Sequence, residues 1–508
     1  MNHVNALARG VIFCGFEGET FDASLPLMGG YVLFARNATS LRQVRALTDA
    51  LRERAFDDGT APAIAIDQEG GRVARLREGI EPMPSMMALG AANDLELAGR
   101  AGEQVAFDLR RAGCTLDFAP VLDLSSHAGN TVIGTRSLGS RPDAVAALGA
   151  AYGAGLERGG VAPCYKHFPG HGATATDSHE ALPFVSDDAT TLRGRDVVPF
   201  AAVARTAPAM LAAHLVVTAF DSHNPATASP AILNAFLRDE LGFNGALVTD
   251  CLQMSALDER GGTVDGAVAA LAAGADVLIV SNSPAVALEA VAAIERAVTG
   301  GSLPLSRLEA AFARASTLRG IAQSPIAVDA FPPHPGVGRE IARRGVTLVR
   351  GFAHVDPLAA IAVSFEGDRV EGINTAAARP RASLRHESPA LKELNLPLDP
   401  AAEDIEAALR AIHDSGRRVL ILARRAHLYE AQAAAIDRIL ADAPDAVAVS
   451  MLEPFDVPLF KKARHVLAAF GDDAASIGGL ADVLFGGSPA QGQMPVDPDA
   501  AGERIRDA

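Results

Sequence analysis

The sequence predicts an α/β protein in which a (β/α)₈ TIM-type barrel is followed by a smaller α/β domain. Three observations carry this. A chain of 508 residues is longer than one hydrophobic core can organise, so two units are expected. Eight short, continuously apolar, β-branched runs lie before residue 281, as expected of strands buried on both faces of a parallel sheet. Four of those runs end in charged or imidazole side chains, which a barrel would gather at the mouth where such folds place their chemistry. An open doubly wound sheet is the competing topology.

The eight runs are Gly10–Phe16, Gly30–Ala35, Ala61–Asp67, Cys114–Pro120, Val161–His167, Ala209–His214, Gly245–Asp250 and Ala275–Val280. Helical patterns separate them. Over Ser40–Arg54, Leu41, Val44, Leu47 and Leu51 share one face and Ser40 is placed to cap it. An Ala-rich helix is expected over Thr263–Ala273 and a last one near Leu303–Leu318. The barrel is therefore assigned to residues 1–322. Residues 323–338 hold four prolines and read as a linker. In 339–508, strand-like runs at Thr347–Val349, Ile361–Phe365, Val419–Ala423, Val447–Met451 and Val466–Phe470 alternate with helices such as Glu430–Leu440, a second sheet that is parallel or mixed. Glu366–Glu403 lacks a period and is expected to form long loops.

Composition narrows the function. A net charge of −16 argues against nucleic acid and against an anionic membrane surface. The four cysteines, Cys14, Cys114, Cys164 and Cys251, are scattered and form neither a disulfide framework nor a zinc motif. The N-terminal apolar stretch is short, with no cleavage pattern after it, so a cytoplasmic protein without signal peptide or membrane span is expected. With no Trp and four Tyr, the chain is poor in flat platforms for long polysaccharides, which hints at a small substrate or a chain end.

The densest polar segment is Lys166–Gly172, KHFPGHG, followed by Asp177-Ser178-His179. Metal binding fits poorly, because the histidines fall at i, i+4 and i+12 in a Gly/Pro loop and not on a helix. A solvated loop is the plain alternative. Acid/base chemistry is the third reading: Asp177 and His179 are two residues apart, so an extended backbone turns both to one side. A carboxylate beside an imidazole fixes its tautomer and raises its pKa. Asp250, at the end of the seventh run, is the partner carboxylate; Lys166, Arg136 and Arg75 are the cations that could keep it ionised, and an N-cap is its structural alternative.

These motifs resemble the β-N-acetylglucosaminidase (β-N-acetylhexosaminidase) branch of glycoside hydrolase family 3. The resemblance rests on Lys166–His179, on Asp67–Val73 (DQEGGRV), on Asp117–Asp123 (DFAPVLD), on Val132–Gly139 (VIGTRSLG), and on the tail Val483–Val496, which looks like the end of that family's C-terminal α/β sandwich domain. It implies Asp250 as the nucleophile of a retaining mechanism, His179 as general acid/base and Asp177 as its supporting carboxylate. It implies that Asp67, Arg75, Arg136, Lys166 and His167 hold a terminal N-acetylglucosamine, and His214 could line the same pocket. No metal or organic cofactor is implied, and cell-wall (peptidoglycan) recycling is the suggested setting. Ala173, Asp117 and Cys251 depart from residues common in that family without removing any of these groups.

Other readings stay open. A neutral His179 would tolerate an incoming phosphate, which permits a phosphorylase that transfers N-acetylglucosamine to phosphate. A β-glucosidase or β-xylosidase would lack the KHFPGHG…DSH loop. A catalytically silent sugar-binding protein would lack nucleophile or donor. A Schiff-base aldolase would use Lys166, which its charged neighbours keep protonated.

Overall fold

The computed structural model describes residues 3–174, 182–254, 262–321, 325–366 and 382–500. Eight parallel strands close into a barrel: β1 (Ile12–Cys14), β2 (Gly30–Leu33), β3 (Ala63–Ile66), β4 (Leu116–Asp117), β5 (Ala162–Phe168), β6 (Ala209–Ala212), β7 (Ala246–Cys251) and β8 (Val277–Val280). Six lie within the predicted apolar runs, and β5 and β7 run one residue past theirs, to Phe168 and Cys251. Neighbours in sequence are neighbours in space, and β8 returns to pair with β1, Ile12 opposite Leu278. The open-sheet topology is thereby excluded.

Side chains alternate along each strand. The inward rows are mostly small or β-branched, Ala63 and Ala65 on β3, Ala162 and Cys164 on β5, Ala246 and Val248 on β7, and they pack into one core inside the barrel. A second core lies between the barrel wall and its helices. The first of these helices, Leu41–Arg52, starts where Ser40 accepts the Gln43 N–H and buries Leu41, Val44, Leu47 and Leu51. The helices Gly262–Ala273 and Leu305–Gly320 fall at the expected places.

The Pro-rich segment is fastened to the barrel: Arg45 Nη1 donates to the Ile326 carbonyl at 2.7 Å and Arg111 Nε to that of Val328 at 2.7 Å. A helix over Val337–Gly345 already begins inside it and docks against the barrel helix Met86–Ala92, with Gly345 meeting the Ala88 backbone so closely that a Cβ has no room.

Beyond it stands a six-stranded sheet: β9 (Thr347–Arg350), β10 (Ala360–Glu366), β11 (Lys392–Pro397), β12 (Arg418–Ala423), β13 (Val447–Ser450) and β14 (His465–Ala468), in the order β9-β14-β13-β12-β10-β11. Only β9 runs antiparallel. One face packs on the helices Ala402–Ser415 and Glu430–Asp442, the other on Ala474–Leu484, which makes an α/β/α sandwich. Between Glu366 and Glu403, where long loops were expected, residues 367–381 lie outside the described residues and strand β11 corrects the expectation for its own part. It is an edge strand, KELNLP, with Lys392 and Asn395 exposed, Glu393 half-buried and Pro397 at its end, so it shows no continuous apolar run.

Candidate active site

The barrel's inward rows continue past the apolar core into charge. Two residues beyond Ala65 comes Asp67, two beyond Cys164 comes Lys166, and two beyond Val248 comes Asp250. Period two therefore carries these three side chains to the C-terminal mouth from three strands. They line a cavity of about 280 Å³ together with Arg75, Arg136, His167 and His171 and an apolar wall that includes Phe34, Phe118, Val132 and Met254.

The charged groups form one network. Lys166 Nζ sits 2.8 Å from Asp67 and 2.6 Å from Glu69. Arg136 clasps Glu69 through two bonds of 2.8 Å, and Arg75 Nη2 reaches Asp67 at 3.2 Å. Three cations thus face two carboxylates. Burial would raise the Asp67 carboxyl, but Lys166 and Arg75 outweigh it and hold it well below the usual carboxylate range. Glu69 is lowered in the same way, with Arg136 the largest opposing charge. For Lys166, burial works against the ammonium and the two carboxylates overcome it, so its pKa rises. A lysine so held stays protonated, which removes the Schiff-base reading.

A second carboxylate sets the loop after β5. Asp123 is fully buried; Oδ2 lies 2.6 Å from His167 Nδ1 and Oδ1 accepts the His171 N–H at 2.6 Å. His167 Nε2 then approaches Arg136 Nη2 at 3.4 Å, which ties the two networks together. Burial pushes the His171 imidazole down to about 4, so it is neutral at physiological pH. Beneath Asp67, burial pushes Asp117 up to about 8, so it is a neutral acid there; Oδ1 accepts the Gln68 N–H at 2.9 Å.

Asp250 Oδ1 accepts the Cys251 N–H at 2.7 Å, and its charge lies close enough to act on His171. The cations proposed to keep it ionised have their described ion pairs with Asp67 and Glu69. His214 stands one layer behind the cavity. It follows the outward phase of Met210 and Ala212, is fully buried, and bridges Thr227 Oγ1 (2.8 Å) to the Cys251 carbonyl (3.0 Å). Its place is thus as a support for the β7 end and not in the cavity lining. Asp177 and His179 lie outside the described residues. Among the described residues, no group of three His, Cys, Asp or Glu is arranged to hold a metal ion.

Three contributors went unread in the sequence. Glu69 and Asp123 both sit inside quoted motifs, yet spacing alone does not say which carboxylate serves which cation. The third comes from the far domain: Glu453 Oε1 accepts the Thr135 N–H at 3.1 Å, one residue before Arg136.

Residues 22–318 match the glycosyl hydrolase family 3 N-terminal domain. The chain is 41% identical over 277 residues to a beta-hexosaminidase of Chromobacterium violaceum, an alignment covering 53% of this chain and 76% of that one. It is 39% identical over 300 residues to a beta-hexosaminidase of Alkalilimnicola ehrlichii, covering 56% and 84%. The solved structure of a glycoside hydrolase family 3 β-N-acetylglucosaminidase from Paenibacillus sp. superposes with a TM-score of 0.88 at 31% identity, over 98% of this chain and 99% of that one. NagZ from Neisseria gonorrhoeae, solved in complex with N-trifluoroacetyl-D-glucosamine, matches with a TM-score of 0.51 at 31% identity, over 61% of this chain and 98% of that one. The barrel, its charged mouth and these likenesses agree: the chain belongs to glycosyl hydrolase family 3 and is a glycoside hydrolase.

Proposed function

We propose that the chain is a retaining, exo-acting β-N-acetylglucosaminidase that removes one terminal N-acetylglucosamine by double displacement. The observation that carries the reading is the pocket: Asp250 shares its wall with the water-poor cluster of Asp67, Arg75, Arg136 and Lys166. Its volume of about 280 Å³ lies just under the ~300–1,000 Å³ usual for small-molecule sites. That suits a single sugar residue held at a chain end.

Asp250 attacks the anomeric carbon while imidazolium His179, supported by Asp177, protonates the departing oxygen. Water, deprotonated by the now neutral His179, then opens the glycosyl-Asp250 ester with configuration retained. Ionised Asp67 accepts hydrogen bonds from the sugar hydroxyls, Lys166, Arg75 and Arg136 donate to the sugar's oxygens, and His167 stands beside them to hold the same sugar. Because these charges are already paired and buried, they are fixed before the sugar arrives and need little reorganisation in the transition state. The roles of His179 and Asp177 rest on the motif that carries them.

The setting we propose is cytoplasmic turnover of peptidoglycan fragments. Among the described residues no helix is long and apolar enough to cross a membrane, and all four thiols are free, which suits a reducing compartment.

The test is hydrolysis of p-nitrophenyl N-acetyl-β-glucosaminide by wild type, Asp250→Ala and His179→Ala, with and without phosphate, with products identified. The reading expects turnover by wild type, none by Asp250→Ala, and a mild loss in His179→Ala, since p-nitrophenolate leaves without a proton. Release of N-acetylglucosamine 1-phosphate would make the chain a phosphorylase. An inert wild type, or full activity in Asp250→Ala, would overturn the assignment.

A further inference from the structure

The loop that delivers Arg136 to the pocket is gripped from the far domain. After β12, Arg425 adopts a left-handed backbone (φ 52°) and pairs with Glu453, which follows β13, through bonds of 2.9 and 2.7 Å. Both side chains are at least 95% buried. Glu453 Oε1 also accepts the Thr135 N–H at 3.1 Å, and Arg425 Nη2 donates to the Thr131 carbonyl at 3.4 Å. Gly134, at φ 44°, lies so close to Glu453 that any Cβ would overlap its carboxylate. Glu453 also feels the charge of Arg72, in the turn that follows Asp67 and Glu69. Burial would raise the Glu453 carboxyl, but Arg425 outweighs it and holds it down at about 2, so it is an anion at every working pH.

A buried ion pair adds little net stability compared with apolar side chains of the same volume. One that spans two domains and ends on the backbone beside a ligand-binding arginine therefore asks for another account. We propose that Glu453, held by Arg425, is a positioning residue for sugar binding: by fixing the Thr135 N–H it sets the approach of Arg136 to Glu69 and the pocket. The second domain thus completes the barrel's binding site without entering it. This rests on the reading of the pocket as the sugar site.

The experiment compares two double variants in the full chain, Arg425→Met/Glu453→Gln and Arg425→Met/Glu453→Leu. Both remove the buried pair with little change in volume, so neither leaves an uncompensated charge; only the first keeps an acceptor for Thr135. On p-nitrophenyl N-acetyl-β-glucosaminide, the Gln variant is expected within about twofold of wild-type KM and the Leu variant about tenfold above it, with kcat in both within about twofold, a bond to a buried amide being the sole difference. Adding Arg136→Ala closes the cycle: on that background the Gln and Leu variants should no longer differ, because Glu453 acts through Arg136. Equal KM values for the Gln and Leu variants, or a Leu effect that persists without Arg136, overturn the proposal. A fall in thermal midpoint with unchanged KM does so too, since it marks a purely structural pair. Failure of the pocket reading is distinct: wild type and Arg136→Ala would then bind the glycoside alike.

Discussion

Replacing Glu69 with Gln should cost more stability than most single changes, because one carboxylate serves two buried cations. Its side chain is 1% exposed, with Arg136 at 2.8 Å on both oxygens and Lys166 at 2.6 Å. The amide keeps one acceptor but turns an NH₂ toward a guanidinium or an ammonium, so donor meets donor. Breaking a buried pair by removing one partner costs about 3–5 kcal/mol. With about 2.1 cal/mol/K per residue and a cooperative unit of roughly 300 residues, a 4 kcal/mol loss lowers the midpoint by about 6 °C. Differential scanning calorimetry on wild type, Glu69→Gln, Lys166→Met and the double variant reads this directly. The double variant should fall by less than the sum of the singles, since removing both partners leaves less uncompensated charge. A Glu69→Gln midpoint within about 1 °C of wild type, or strict additivity, would refute the coupled network.

Three further outcomes are expected. Asp117 is a buried acid whose pKa rises from 3.8 to about 8 on folding, so its contribution is complete only below pH 3.8 and is lost as pH climbs toward 8, by up to about 1.4 kcal/mol per pH unit; Asp117→Asn, which keeps an acceptor for Gln68, should match wild type in melting at about pH 3 and exceed it progressively up to pH 8. Cys251 is the sole thiol not fully buried, and burial raises its pKa, so a disulfide reagent should label one of four cysteines slowly at neutral pH, and excess N-acetylglucosamine should protect it; rapid labelling or no protection would speak against its place in the wall. Removing the bridge from Thr227 to the Cys251 carbonyl with His214→Leu should lower kcat by roughly tenfold or more with KM little changed, one buried hydrogen bond being lost beside Asp250.

The barrel was legible because its strands are buried on both faces, so each announces itself as an unbroken apolar run closed by turn residues. β11 escaped notice because an edge strand with one exposed side carries charge where a central strand carries Val or Ile. Within the site, Asp67, Lys166 and Asp250 could be found because each ends an apolar run. His214 also ends one, but it falls in the outward phase of β6 and bonds Thr227 and the Cys251 carbonyl, and strand phase is hard to read until the register is known. Glu69, Asp123 and Glu453 show the remaining limit: a carboxylate's type and neighbours in sequence do not name the cation or amide it meets across 44 to 318 residues.

That last separation has a consequence for how the enzyme is made. The Thr135 amide and the carboxylate that receives it are 318 residues apart. At a synthesis rate of about 5–20 residues per second, the ribosome delivers the acceptor roughly 16–64 s after the donor. The barrel's last helix ends at Gly320, so for roughly the last 7–27 s of that interval a complete barrel can wait for Glu453. If Glu453 positions Arg136 as proposed, tight sugar binding is expected to begin only once the second domain has emerged and docked.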